Sequence, residues 1–151
     1  MTDLSALAGA TVAFDLDGTL VDSAPDLIGT LNVLLAQEGI APLPLDEARP
    51  FIGHGARSLI KRGFEAQGAS PGDRLERLFT RFIDHYTAHI ADESRPFEGV
   101  PETLALLKDA GAKLCVCTNK LTGLSIQVLD ALRLSAFFDA VIGADAAPAS
   151  K

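Results

Sequence analysis

Asp15 and Asp17 stand two residues apart in Phe14-Asp15-Leu16-Asp17-Gly18-Thr19-Leu20-Val21-Asp22-Ser23, directly after the apolar run Ala10 to Phe14. Two carboxylates at i and i+2, if both ionised and dry, repel each other strongly. A divalent cation relieves that repulsion, and oxygen donors of this kind suit Mg²⁺. Gly18 allows the sharp turn that folds the second carboxylate back toward the first. The same residue types also favour strand–loop junctions, so on Asp-x-Asp alone a capping and turn cluster fits equally well. Cys115 and Cys117 are the only cysteines. On a strand their Cα atoms would lie roughly 6.5–7 Å apart, at the limit of a disulfide. They read instead as small buried apolar side chains.

The elements that must position these residues follow from the apolar pattern. Ala10 to Phe14, Lys113 to Thr118 and Ala140 to Gly143 read as strands of a parallel sheet covered on both faces. Pro101 to Ala110 reads as a helix with Leu104 and Leu107 toward the sheet. A further helix carries Leu124, Val128, Leu129 and Leu132 on one side. Strand–helix–strand order predicts an α/β domain with right-handed crossovers. Between the first strand and Pro96 the pattern is helical throughout. Leu27, Leu31, Leu34 and Leu35 form one stripe, Ala56, Leu59, Ile60 and Phe64 a second, and Leu75, Leu78, Phe79, Phe82, Ile83 and Tyr86 a third. With no strands among them, these helices should pack on each other. The expected division is an α/β core from residues 1–21 and 97–151, with a helical subdomain at 22–96. Asp22 and Ser23 read as caps of its first helix.

A net charge of −7 argues against a duplex nucleic-acid partner, which would require a basic face. No apolar run is long enough to span a bilayer, and no export signal is visible at the N-terminus. The expected location is cytoplasmic.

The string from Asp15 to Ser23 closely resembles the first motif of the haloacid-dehalogenase-like superfamily, Asp-x-Asp-Gly-Thr followed by two hydrophobic residues, Asp and Ser. Thr118-Asn119-Lys120 resembles its second motif, and the helical stretch resembles its inserted cap. The approach Pro96-Phe97-Glu98-Gly99-Val100-Pro101 is also similar. That implies a three-layer, Rossmann-like α/β core with a parallel sheet, incomplete here, plus an α-helical cap. Phe51-Ile52-Gly53-His54-Gly55-Ala56-Arg57 and Gly143-Ala144-Asp145 through Lys151 look most like the phosphoglycolate phosphatase branch.

The resemblance implies Mg²⁺-dependent hydrolysis of a small phosphate ester, 2-phosphoglycolate first, through an aspartyl-phosphate. Asp15 would be the nucleophile and Asp17 the acid and base, with both at the metal. Thr118 and Lys151 would stabilise the transferring group. Gly18, Thr19, Asn119, His54 and Arg57 would bind substrate, Arg57 through a carboxylate. Lys120 could approach phosphate, but reads first as a surface lysine. The second aspartate favours phosphoryl transfer over carbon–halogen chemistry.

The fourth, acidic motif of the superfamily is not found, and neither Asp139 nor Asp145 has its pattern. The chain is therefore expected to be part of a longer enzyme and poorly active by itself. Without the strand that carries the motif, Thr11 to Phe14 would be an open sheet edge prone to self-association. The alternatives are a sugar-phosphate phosphatase or phosphoglucomutase of the same superfamily, and an inactive fragment serving as a binding module.

Overall fold

The structure is a computed structural model that describes residues 3–149. It divides into two compact units, one formed by Met1–Asp22 with Arg95–Lys151 and the other by Ser23–Ser94.

The first unit is α/β. Strands β1 (Thr11–Phe14), β4 (Lys113–Cys117) and β5 (Ala140–Ile142) form a parallel sheet in the order β1-β4-β5. Phe14 pairs with Val116, and Cys117 with Ile142, so the strands end nearly level. A two-residue antiparallel ribbon joins β2 (Val21–Asp22) to β3 (Arg95–Pro96). Helices α5 (Val100–Asp109) and α6 (Thr122–Ala131) bury Leu104, and Leu124, Val128 and Leu129, respectively. The core of the sheet is Leu114 and Val116 of the central strand, both fully buried.

Coverage on both faces holds only there. Thr11 and Ala13 of β1 are exposed, as are Ala140 and Ile142 of β5, because each is an edge strand of a three-stranded sheet. Cys115 and Cys117 are not joined in a disulfide and are only partly covered, which corrects the expectation of buried side chains. Desolvation still pushes the Cys115 thiol above its ordinary value.

The second unit is helical. Helices α1 (Ala24–Gln37), α3 (Ala56–Ala66) and α4 (Leu75–Ala88) carry the three leucine- and phenylalanine-rich stripes, and α2 (Leu45–Ala48) is a single turn. Leu31, Ile60, Phe64, Leu78, Phe82 and Tyr86 close the core. Each such side chain contributes on the order of 1.5–3 kcal/mol when fully buried. Gly63 lets α1 and α3 approach, since a Cβ there would lie 2.6 Å from Leu31 Cδ2.

The ends of this unit are clasped by a residue the sequence did not single out. The buried Asp26 carboxylate accepts hydrogen bonds from the Glu93 and Ser94 amides and, at 2.6 Å, from the Ser94 hydroxyl. Ser23 occupies the N-cap position of α1, yet its side chain makes no capping hydrogen bond.

Candidate active site

The C-terminal ends of adjacent parallel strands are where open α/β sheets bind ligands, and both chemistry-bearing motifs lie there. Asp15 follows β1 directly, and Thr118 follows the neighbouring β4. After Asp15 the chain curls tightly. The Leu16 carbonyl accepts from the amides of Thr19, Leu20 and Val21, and the Gly18 amide donates to the Val21 carbonyl. Gly18 sits at φ +79°, a left-handed conformation that costs glycine little. Leu16, fully buried, anchors the turn between the two carboxylates. The Leu16 amide also donates to Asp15 Oδ1 at 2.8 Å, which restrains that carboxylate.

On the β4 side, the Thr118 amide donates to the Ile142 carbonyl at 3.0 Å, continuing the ladder one step past the strand. Thr118 is buried at 6 % exposure, and its Oγ1 accepts from the Lys120 amide at 3.1 Å. The loop after β5 closes against this segment. Gly143 donates to Thr122 Oγ1, and the Ala144 amide donates to the Lys120 carbonyl. Asp145 accepts from both the amide and the hydroxyl of Thr122, capping α6. The Thr122 amide bond, with that of the hydroxyl, holds the Asp145 carboxyl below its ordinary value.

Lys120 corrects the reading as a surface lysine. It is 8 % exposed, and its Nζ lies 3.2 Å from Asp17 Oδ1. This ion pair joins the loop after β1 to the loop after β4, and its two side chains are only 6 % and 9 % exposed. A lysine is buried in this way only when paired. Nothing local in Thr-Asn-Lys announces it, since the partner is far away in the chain.

The structure thus brings together Asp15, Asp17, Gly18 and Thr19 at one strand end and Thr118 and Asn119 at the next. His54 and Arg57 belong to the helical unit. There, Arg57 donates to both carboxylate oxygens of Glu76, at 2.8 and 2.7 Å, and lies 3.6 Å over the Phe79 ring. The Glu76 bond raises the Arg57 pKa. His54 is exposed at the loop before α3. Lys151 lies outside the described residues.

Asp15 and Asp17 are hard oxygen donors in a restrained turn. Mg²⁺ is commonly held by one or two carboxylates beside waters and substrate phosphate, so the pair fits that ion in kind. Among the described residues no group of three or more His, Cys, Asp or Glu side chains is placed to hold a metal. Nor, among them, is any helix long and apolar enough to cross a membrane.

A sequence-family model described as haloacid dehalogenase-like hydrolase matches residues 12–151. The phosphoglycolate phosphatase of Caulobacter vibrioides is 62% identical over 152 residues, covering 100% of this chain and 64% of that protein. The phosphoglycolate phosphatase of Agrobacterium fabrum is 44% identical, over 87% of this chain and 57% of its own length. Thus the chain spans less than two thirds of these relatives. A crystal structure of a predicted phosphoglycolate phosphatase from Haemophilus somnus superposes with a TM-score of 0.87 at 29% identity. It covers 96% of this chain and 66% of that one.

Proposed function

This chain belongs to the haloacid dehalogenase-like hydrolase family, and on that premise we propose that it hydrolyses a small phosphomonoester, 2-phosphoglycolate, through an aspartyl-phosphate on Asp15. The observation that carries the reading is the level, parallel pairing of β1 and β4, which sets the Asp15–Asp17 turn beside Thr118.

In the first step an Asp15 carboxylate oxygen attacks phosphorus in line, and the bond from phosphorus to the ester oxygen breaks. Asp17, which takes up a proton from solvent as substrate binds, gives it to the departing alkoxide. In the second, water attacks the same phosphorus and passes a proton to Asp17. The bond to Asp15 breaks, releasing inorganic phosphate and restoring the carboxylate. Thr118 donates its hydroxyl to a phosphoryl oxygen, and donors aimed at developing charge are worth most in a dry site. A bound Mg²⁺, held by the Asp15 carboxylate and the main-chain oxygen of Asp17, would neutralise charge on the phosphoryl oxygens.

The test is phosphate release from 2-phosphoglycolate, compared with a sugar phosphate at equal concentration. We expect a rate that vanishes with chelator, returns with Mg²⁺ and is lost in Asp15→Asn. A rate independent of both metal and Asp15 would refute the reading. We expect slow turnover in this chain, because among the described residues no group of three or more His, Cys, Asp or Glu holds the cation, and ~1 Å of misplacement costs about a hundredfold.

We also propose that β1 pairs with a second copy of the chain. Among the described residues, the order β1-β4-β5 leaves one side of Thr11–Phe14 without a strand, and that run has no charge to discourage pairing. Sedimentation at tens of micromolar, roughly where exposed edges begin to associate, should show species larger than one chain. Ala13→Lys should shift them toward monomer. A monomer in both would contradict this.

A further inference from the structure

Lys120 has no role in the mechanism above, yet it is the most deeply placed cation beside the carboxylate pair among the described residues. Three backbone contacts fix where it stands. Its amide donates to Thr118 Oγ1, its carbonyl accepts from Ala144, and Gly143 packs against that carbonyl with no room for a side chain. From this pinned position, its Nζ reaches Asp17 Oδ1 at 3.2 Å, and both side chains are shielded from water.

We propose that Lys120 is a positioning residue for Asp17, holding that carboxylate in the orientation from which it exchanges a proton with the leaving group. The proposal rests on the reading of Asp17 as acid and base. Its physical basis is the repulsion between Asp15 and Asp17. Two carboxylates separated by one residue push each other apart in a dry site, and the Leu16 amide restrains Asp15. Lys120 supplies a charged restraint on Asp17 at 3.2 Å. The link also crosses from one strand end to the next, so the acid–base arm is registered against Thr118, whose hydroxyl oxygen bonds the same loop. A buried charge deprived of its partner is strongly destabilised, so Asp17 would move or open the site to water once Lys120 is gone.

The experiment uses Lys120→Met, which keeps length and apolar stem and removes the charge. Phosphoenzyme formation is followed by rapid quench with an alkyl phosphate, 2-phosphoglycolate, and with 4-nitrophenyl phosphate, whose leaving group needs no proton. We expect the alkyl ester to lose about a hundredfold, the loss that misplacing a catalytic group by ~1 Å brings, with KM little changed. The aryl ester should lose less than about tenfold on the same argument. Equal losses on both esters with raised KM would make Lys120 a phosphate-binding residue and overturn the proposal.

Melting temperatures of Lys120→Met, Asp17→Asn and the double variant read the pair without turnover. The double variant should lose less than the sum of the single losses, and strict additivity would overturn the pair. An Asp15-independent rate would refute the hydrolase reading alone, with the melting comparison still deciding whether Lys120 holds Asp17.

Discussion

Arg57 shows how far a single residue could be read in advance. Its place at the start of a helix was legible from Gly53-His54-Gly55 and the stripe that follows, and α3 begins at Ala56. Its partner was not, because Glu76 lies on a different helix and only folding makes them neighbours. The pair is open to solvent and screened, so exchanging Glu76 for a substrate carboxylate costs little. If Arg57 serves substrate, Arg57→Ala should lower kcat/KM for 2-phosphoglycolate by about ten- to a hundredfold more than for an uncharged phosphomonoester, the worth of one charge-assisted contact. Glu76→Gln should instead improve 2-phosphoglycolate alone. Equal losses for both substrates in Arg57→Ala would mean that Arg57 serves the fold. Lys120 escaped notice for the same reason as Glu76, since burial of a long cation depends on a partner across the fold.

Among the elements, long helices with clear stripes were legible, because burying one face dictates a period of 3.6 residues. The β2–β3 ribbon was not, since two residues a strand carry no period. The Asp26 clasp also escaped, because a buried carboxylate with amide partners looks in sequence like any first-turn acid. The loop after β5 offers a sharp test of how tightly the elements carry the site. A Cβ on Gly143 would lie 2.3 Å from the Thr122 nitrogen and 2.5 Å from the Lys120 carbonyl oxygen. Both are backbone atoms pinned by neighbouring hydrogen bonds, so they cannot step aside cheaply. Gly143→Ala should therefore destabilise the chain by about 1–3 kcal/mol, as overpacking does, and disturb the Lys120–Asp17 pair. Denaturant unfolding measures the first, and phosphate release should fall with it. Unchanged stability and rate in the Gly143→Ala variant would show that this loop does not hold the site.

At the scale of the molecule, the helical stretch without strands that interrupts an α/β pattern led to a division at residues 1–21 and 97–151 against 22–96. The structure places the change at Asp22 and again at Ser94. With a net charge of −7, the cation proposed at Asp15 and Asp17 would offset the repulsion of an anionic ester. Among the described residues the sheet has three strands with only the central β4 carrying fully buried side chains, as the expected incomplete sheet with an open edge at Thr11 to Phe14 requires. All of this converges on one carboxylate at the end of β1. The direct measurement is rapid acid quench of the chain with Mg²⁺ and substrate, followed by peptide mass spectrometry. The account predicts one phosphoryl group on the peptide carrying Asp15, absent from Asp15→Asn and longer-lived in Asp17→Asn, where the second step lacks its base. A phosphoryl group on any other residue, or equal labelling of the Asp15→Asn chain, would contradict it.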